Sequence, residues 1–280
     1  MNHDDMVIDI NAMLDNAEPP FSAADYCIYK VPFVSRRLNH DAYTPKVVSI
    51  GPFHHGHPHL QNMERHKLIY FKAFLKRAET TTQPLIKYIE SIIPKFRGCY
   101  SETLDFTDQE LLKLILIDSG FIIELFYGYY YEQDDFYLLK PWLRYNIKLD
   151  LLLLENQLPF FVVKKIFNIS FSAKPYIRSF RYLTFYYFEE FNTSNLVYDD
   201  RTIIISHFTD LIRIFHLQHP WERRARRINE PMKHLHSVTE LLEAGVRFKV
   251  NTQIECLLDL RFSGRVLEIP QLRVEDWTEI

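Results

Sequence analysis

The chain has 280 residues and a mass of 33.6 kDa, with 47% hydrophobic and 25% charged residues, the balance of a folded protein with a sizeable core rather than a disordered one. A formal net charge of -3 and a pI near 6.5 give no global drive toward nucleic acid or an anionic membrane. Only 7 glycines occur and no GxG pair exists, which excludes a glycine-rich loop wrapped around phosphate.

The 22 Phe and 17 Tyr predict that much of the core is built from rings. Tyr hydroxyls in it must find partners, because a buried unpaired hydroxyl costs on the order of 1–3 kcal/mol. Cys27, Cys99 and Cys256 are odd in number and far apart, with no CxxC pair. That argues against a disulfide framework or a zinc knuckle and suits a reduced compartment.

Residues 1–25 read as a flexible leader running past Pro19-Pro20. Its opening, MNHDDMVIDINAML, is acidic and lacks the basic-then-apolar order of a secretory signal, so a cytoplasmic or membrane-peripheral placement is expected. Tyr26–Val31 and Lys46–Ile50 are short β-leaning segments, each closed by a proline. Met63–Arg77 has apolar residues at 68, 71, 74 and 75, a helical stripe; Pro84–Ile93 is a second helix, stopped by Pro94.

Thr107 and Glu110 have capping-box spacing, and the run behind them, Leu111–Tyr127, is apolar nearly all round, so a central helix is expected. The wider stretch Leu111–Tyr131 carries Lys113, Asp118 and Glu124, too costly near mid-bilayer for a membrane span. Asp150–Gln157 leads to Pro159 as a first helical residue and to Phe160–Phe167. Phe180–Phe191, Ile203–Leu217 and Lys233–Ala244 read as further helices, the last closed by Gly245. Phe191–Arg201 and Pro220–Pro231 read as flexible connections.

The period then changes. Val246–Val250 alternates strictly, and Cys256–Phe262 and Arg265–Ile269 flank Ser263-Gly264, a hairpin signal. The predicted class is α+β, predominantly helical with a small antiparallel sheet. No internal repeat is present.

IYKVPFVSRRLNHDAYTPKVVSIGPFHHG (Ile28–Gly56), LQNMERHKLIYFKAFLKR (Leu60–Arg77), FIIELF (Phe121–Phe126), DLLLLENQLPFFVV (Asp150–Val163), ELLEAGVRFK (Glu240–Lys249) and LEIPQLRVED (Leu267–Asp276) follow in a fixed order. Together these blocks resemble the plant Domain of Unknown Function 247 family (uncharacterised plant protein family 0481). The resemblance implies a single family domain over residues 26–280, without the further helices and hydrophobic C-terminal segment with which relatives continue. It implies no catalytic residue, cofactor or metal, and membrane association only through that segment. Some grass members are implicated in self-incompatibility, which would make them recognition proteins. Ser119-Gly120 departs from the bulkier or cysteine-containing pair of many relatives, a matter of local packing.

Candidate sites carry two readings each. His54, His55, His57 and His59 could hold Zn²⁺ or Cu²⁺, but Gly56 and Pro58 make a turn there, and local hydrogen bonding that orders the next helix is expected instead. His216 and His219 are i,i+3, half a metal site or partly charged imidazoles at a helix C-terminus; the second is expected. Asp118, Glu124 and Glu155 could supply the acid and base of a hydrolase, or a shared buried polar network; the network is expected. Glu222–Arg227, with four arginines in five positions, could bind phosphate, a nuclear importer or acidic lipid; a solvated linker is expected. Asn168-Ile-Ser170 and Asn192-Thr-Ser194 match the glycosylation pattern by chance in a chain without a signal. No GxSxG, no HExxH and no cysteine with a local activator is present, so a non-catalytic protein is expected, a recognition or scaffold protein meeting a protein partner and not nucleic acid.

Overall fold

The computed structural model describes residues 27–132, 140–192, 195–199, 202–217, 236–252 and 259–271. Among these the chain forms helices α1 (Phe33–Leu38), α2 (Gln61–Ala78), α3 (Thr82–Arg97), α4 (Asp108–Tyr130), α5 (Pro141–Asp150), α6 (Phe160–Ser170), α7 (Phe180–Tyr187), α8 (Phe208–Phe215) and α9 (Val238–Glu243). Strands β1 (Arg247–Asn251), β2 (Arg261–Ser263) and β3 (Val266–Pro270) follow.

The architecture is organised around α4. Its first turn is fixed by the expected capping box: the Thr107 hydroxyl accepts from the Glu110 amide, and the Glu110 carboxylate accepts from the Thr107 amide. Apolar residues on every side then let it take neighbours all round, and α2, α3, α6 and α7 pack against it. Gly120 sets how near α2 comes. A methyl group there would lie 2.3 Å from the Phe71 ring, so the small residue in this pair is what permits the close approach.

Among the described residues the core mixes aromatic rings with a larger number of aliphatic side chains. Phe126 of α4 stacks on Tyr187 at 4.3 Å and meets Phe180, Phe188 and Phe208 at 5.9, 5.7 and 5.4 Å. The Tyr100 hydroxyl donates to the Gln157 carbonyl at 2.9 Å. Tyr70 breaks the rule about buried hydroxyls: its oxygen has no hydrogen-bond partner among the described residues, while its ring packs on Phe121 at 5.2 Å.

Several predicted boundaries move, each for a local reason. The buried face of α2 is Met63, Lys67, Tyr70, Phe74 and Ala78, whereas Leu68 of the expected stripe is half exposed; a buried lysine disguises the true face. Helix α3 runs through Pro94, because Ile93 and Phe96 on its buried face hold the last turn against the core. Helix α7 ends at Tyr187 in a 3₁₀ turn over Glu189–Phe191, and α8 begins only at Phe208. There His207 is the N-cap, its Nδ1 accepting from the Asp210 amide, while the residues before it form no helix and the Ser206 carbonyl accepts from the Phe160 amide. Helix α9 starts at its own capping box, Ser237 with Glu240, and Gly245 closes it at φ +82° as expected; residues 233–235 lie outside the described ones.

The hairpin forms across a two-residue turn, with Ser263 opposite Val266 and both Gly264 (φ +57°) and Arg265 (φ +68°) left-handed. The sheet is mixed rather than antiparallel: β3 is central, antiparallel to β2 and parallel to β1. Alternation in Val246–Val250 fixes which residues share a face but not the direction in which the strand docks. Lys249 sits opposite Glu268 in that register, with Nζ 3.2 Å from Oε1.

The two early β-leaning segments are not strands. Cys27–Val31 makes a single parallel bridge, Ile28 to Tyr100, and Lys46–Ile50 has no strand partner among the described residues. What satisfies the backbone of the second segment is the central feature of the molecule.

Candidate functional site

Five backbone amides of Lys46–Gly51 are bonded to side chains that arrive from elsewhere in the chain. Asp150, the last residue of α5, accepts from Lys46 at 2.8 Å through Oδ1 and from Val47 at 2.7 Å and Val48 at 2.8 Å through Oδ2. Asn156 Oδ1 accepts from Ile50 at 2.7 Å, and its Nδ2 donates to the Val48 and Asp150 carbonyls, both at 2.9 Å. Asp118 of α4 accepts from Gly51 at 2.9 Å and from Lys67 Nζ at 2.6 Å, and Lys67 also donates to the Ser49 carbonyl at 2.9 Å. Gly51 has φ +74°, and a Cβ there would lie 2.3 Å from the Gln157 carbonyl oxygen, so no other residue fits this closure.

The groups of this clasp are almost wholly removed from water: Lys67 is 0%, Asn156 0%, Asp118 1% and Asp150 2% exposed. A lone charge at that depth would be prohibitive. Burial pulls the Lys67 ammonium toward the neutral form, and the carboxylates of Asp118 and Glu64 more than restore it. Burial lifts the Asp150 carboxyl above its ordinary range, opposed by the Lys46, Val48 and Val47 amides. Gln157 closes the loop behind the clasp, donating to the Leu151 and Leu153 carbonyls at 2.6 and 2.8 Å and accepting from the Phe208 amide at 2.9 Å.

The three predicted carboxylates do not share one cation. Asp118 belongs to the clasp with Lys67. Glu124 is held by Arg77, with Nη2 at 2.8 Å and Nε at 3.1 Å from Oε1, and that guanidinium lies 4.3 Å from the centre of the Tyr127 ring. Glu155 accepts from the Val31 amide at 2.6 Å and pairs with Arg36 at 2.6 Å and His54 at 3.4 Å. The three acids therefore do not form the one shared network expected of them: Asp118 is joined to Asp150 and Asn156 through the clasped backbone, Glu124 makes its own link between α4 and α2, and Glu155 holds the Val31 and Arg36 segment. No acid and base face each other across a common space in these contacts.

Glu155 is the titration-sensitive member. Burial acts to raise its pKa, but donors from His54, the Val31 amide and Arg36 outweigh that and hold it at about 2. A carboxyl whose folded pKa is depressed contributes stability that is full above its unfolded value and lost as pH falls toward the folded one. Wild-type protein should thus exceed Glu155→Gln by ~2 kcal/mol in urea unfolding at neutral pH, a figure reduced for screening at its rim. That difference shrinks between about pH 4.5 and pH 2. A difference independent of pH would show that the charge is not what Glu155 contributes.

The histidine turn makes hydrogen bonds of the kind expected. His59 Nε2 lies 3.0 Å from the Pro45 carbonyl oxygen, His57 and His59 rings meet edge to face at 4.3 Å, and His57 precedes the 3₁₀ turn Pro58–Leu60 that leads into α2. Among the described residues no cluster of three His, Cys, Asp or Glu is arranged to hold a metal ion. His216 is the C-cap residue of α8, and burial lowers its pKa, against the partial charge expected there. His219 and Glu222–Arg227 lie outside the described residues. Asn168 is exposed on α6 with Ser170 buried and bonded to the Ile166 carbonyl, and the Asn192 side-chain amide is bonded to Leu196, while residues 193–194 lie outside the described ones.

A second feature lies on the surface. A cleft of about 470 Å³ is walled by five tyrosines, among them Tyr130 and Tyr131 at the end of α4, Tyr182 of α7 and Tyr198. Their rings meet edge to face, Tyr130 on Tyr182 at 5.3 Å and Tyr182 on Tyr198 at 4.7 Å. Arg178, the one charged residue among the described residues that line it, sits 5.0 Å from the centre of the Tyr182 ring, and its amide donates to the Tyr131 hydroxyl at 3.2 Å. Hydrogen bonds from Tyr182 and Arg178 to the Tyr130 oxygen hold that phenol below its usual range. The rim residue Tyr176 is 75% exposed.

Sequence reading missed Asp150, Asn156 and Lys67 as partners and missed the cleft entirely. A signal existed for the clasp: the polar pair Asp150 and Asn156 brackets the apolar run DLLLLEN, and Lys67 interrupts the i, i+4, i+7, i+11 row that starts at Met63. The cleft joins the end of α4 to residues of α7 and beyond, and left none.

Among the described residues no helix is long and apolar enough to cross a membrane. No solved structure matches this chain. Two proteins of Arabidopsis thaliana are similar to it. UPF0481 protein At3g47200 is 31% identical over 280 residues, covering 89% of this chain and 58% of that protein. Putative UPF0481 protein At3g02645 is 31% identical over 162 residues, covering 57% of this chain and 30% of that protein. The chain thus spans little more than half the length of the first and less than a third of the second. The family model for DUF247, plant protein of unknown function, matches residues 28–280, and the chain belongs to that family.

Proposed function

We propose that this domain is a non-catalytic recognition unit that meets an acidic segment of a protein partner in the tyrosine–arginine cleft. The observation that carries this is the cleft's chemistry: five tyrosines with ring faces and hydroxyls, and a single cation, Arg178, among the described residues that line it. Tyr and Arg are among the residues that dominate binding energy at protein interfaces, Tyr because it buries large area while losing little side-chain freedom and Arg because its planar, charged fork pairs with carboxylates. The lone positive charge selects a carboxylate-bearing partner over a basic one. The buried acids, which a hydrolase would need free, are each engaged with a cation or with backbone amides. A place in self-recognition during pollination fits a unit of this kind, as does a scaffold role.

Peptide display against the purified chain tests the reading. Acidic peptides should be enriched over neutral and basic ones, and Arg178→Ala or Tyr182→Ala should weaken the selected peptides at least ~10-fold. Glu155→Gln should leave their binding unchanged. Enrichment without charge preference, or binding indifferent to both cleft variants, would sink the proposal.

A further inference from the structure

The single bridge that docks the first described segment places two cysteines side by side. The Cys27 and Ile28 amides both donate to the Cys99 carbonyl, at 3.0 and 2.9 Å, and Ser101 donates back to the Ile28 carbonyl at 3.0 Å. Ile28 pairs with Tyr100 in parallel, so Cys27 and Cys99 are opposite one another one step earlier in the same register. Register neighbours have Cα atoms ~5 Å apart, inside the ~4.4–6.8 Å that a disulfide spans.

The two thiols also touch. A hydrogen bond with Cys99, together with burial, pushes the Cys27 thiol above its usual range, so it is not the activated thiolate of a nucleophilic enzyme. The surroundings are rigid on both flanks. Cys99 is buried beneath the end of α3, with its Sγ also 3.4 Å from the Lys95 carbonyl. Cys27 is half-buried, the more accessible of the pair. Four residues beyond it, the Val31 amide is held by Glu155.

From this juxtaposition we infer that Cys27 and Cys99 form a reversible disulfide, a modification site that staples the leading segment of the domain to the end of α3. The oxidant is a small disulfide such as oxidised glutathione. The Cys27 thiolate attacks one of its sulfurs and releases one glutathione thiolate, giving a mixed disulfide; the Cys99 thiolate then displaces the second. The protein loses two electrons and two protons, and two glutathione thiols carry them away. The raised Cys27 pKa makes the first, bimolecular step slow, while the second is intramolecular because the two sulfurs are in contact. The bond closes the loop between residues 27 and 99, which restricts the unfolded chain far more than the folded one.

The test uses the full chain, reduced, then equilibrated in graded glutathione buffers, with disulfide content read by intact mass and peptide mapping. The expected result is a loss of two hydrogens, a crosslinked peptide pair containing Cys27 and Cys99, and a melting temperature raised by about 5–10 °C relative to reduced protein. Cys256→Ser should give the same crosslink and the same rise; Cys99→Ser should give neither. Three thiols that persist through the oxidising buffers, glutathione adducts that never resolve, or a crosslink through Cys256 would each overturn the inference. The mapping is made on unmutated protein, so a variant that fails to fold leaves the result readable.

Discussion

Lys67→Met should destabilise the protein by about 3–5 kcal/mol in urea unfolding, among the largest losses of any single change outside the aromatic core. The lysine is fully buried, and its departure strands the Asp118 carboxylate, itself 1% exposed, without the cation that pairs with it. It also leaves the Ser49 carbonyl without its donor. The size of the effect comes from the orphaned partner rather than from the attraction alone, since the pair's own attraction is largely cancelled by the desolvation of both ions. A second substitution separates these. Asp118→Asn keeps an oxygen to accept from Gly51 but removes the charge, so in the Lys67→Met background it should recover ~1–2 kcal/mol. Strictly additive losses would mean that the two residues do not act as a pair.

Asp150→Ala should cost about 3 kcal/mol or more, because one carboxylate satisfies the three amides of Lys46, Val47 and Val48. Three buried N–H groups at ~1–3 kcal/mol each would exceed this, but removing the carboxylate also releases the cost of burying its charge. Asp150→Asn should fall between, since its amide nitrogen faces donors it cannot accept from. The local signature is as telling as the global one. In the alanine variant the segment loses its partner, and trypsin should cut after Lys46 under native conditions while the parent chain resists. An Asp150→Ala protein as stable and as protease-resistant as its parent would remove the clasp from the account.

Much of this fold is legible in the chain because it is written locally. The Thr107–Glu110 capping box, the all-round apolar run after it and the Gly264 hairpin each depend on residues within a few positions of one another. What is not legible is pairing across distance. Val47 and Asp150 are 103 residues apart and Gly51 and Asp118 are 67 apart, and nothing in KVVSIG says that its hydrogen-bond partners are side chains rather than a strand. Its β-leaning composition encodes extended backbone but does not encode a ladder. Lys67 hides the buried face of α2 for the same reason: a charge looks like a solvent residue until its counter-ion on another helix is known. The strand direction of β1 needs the chain path, which alternation does not carry.

The candidate site divides along the same line. The buried acids are visible as carboxylates in greasy surroundings, and their architectural role follows from sequence logic, though their cations do not. The tyrosine cleft draws on the end of α4, the start of α7 and Tyr198, three places with no common motif. Recognition surfaces of this type are made by shape and convergence, which a one-dimensional pattern does not record.

Amide hydrogen exchange across Lys46–Gly51 puts the clasp to its most direct trial. The segment belongs to no helix or strand, yet the amides of Val47, Val48, Ile50 and Gly51 should exchange as slowly as those in the middle of α4, opening only with global unfolding. Exchange at the rate of an exposed loop would contradict the account.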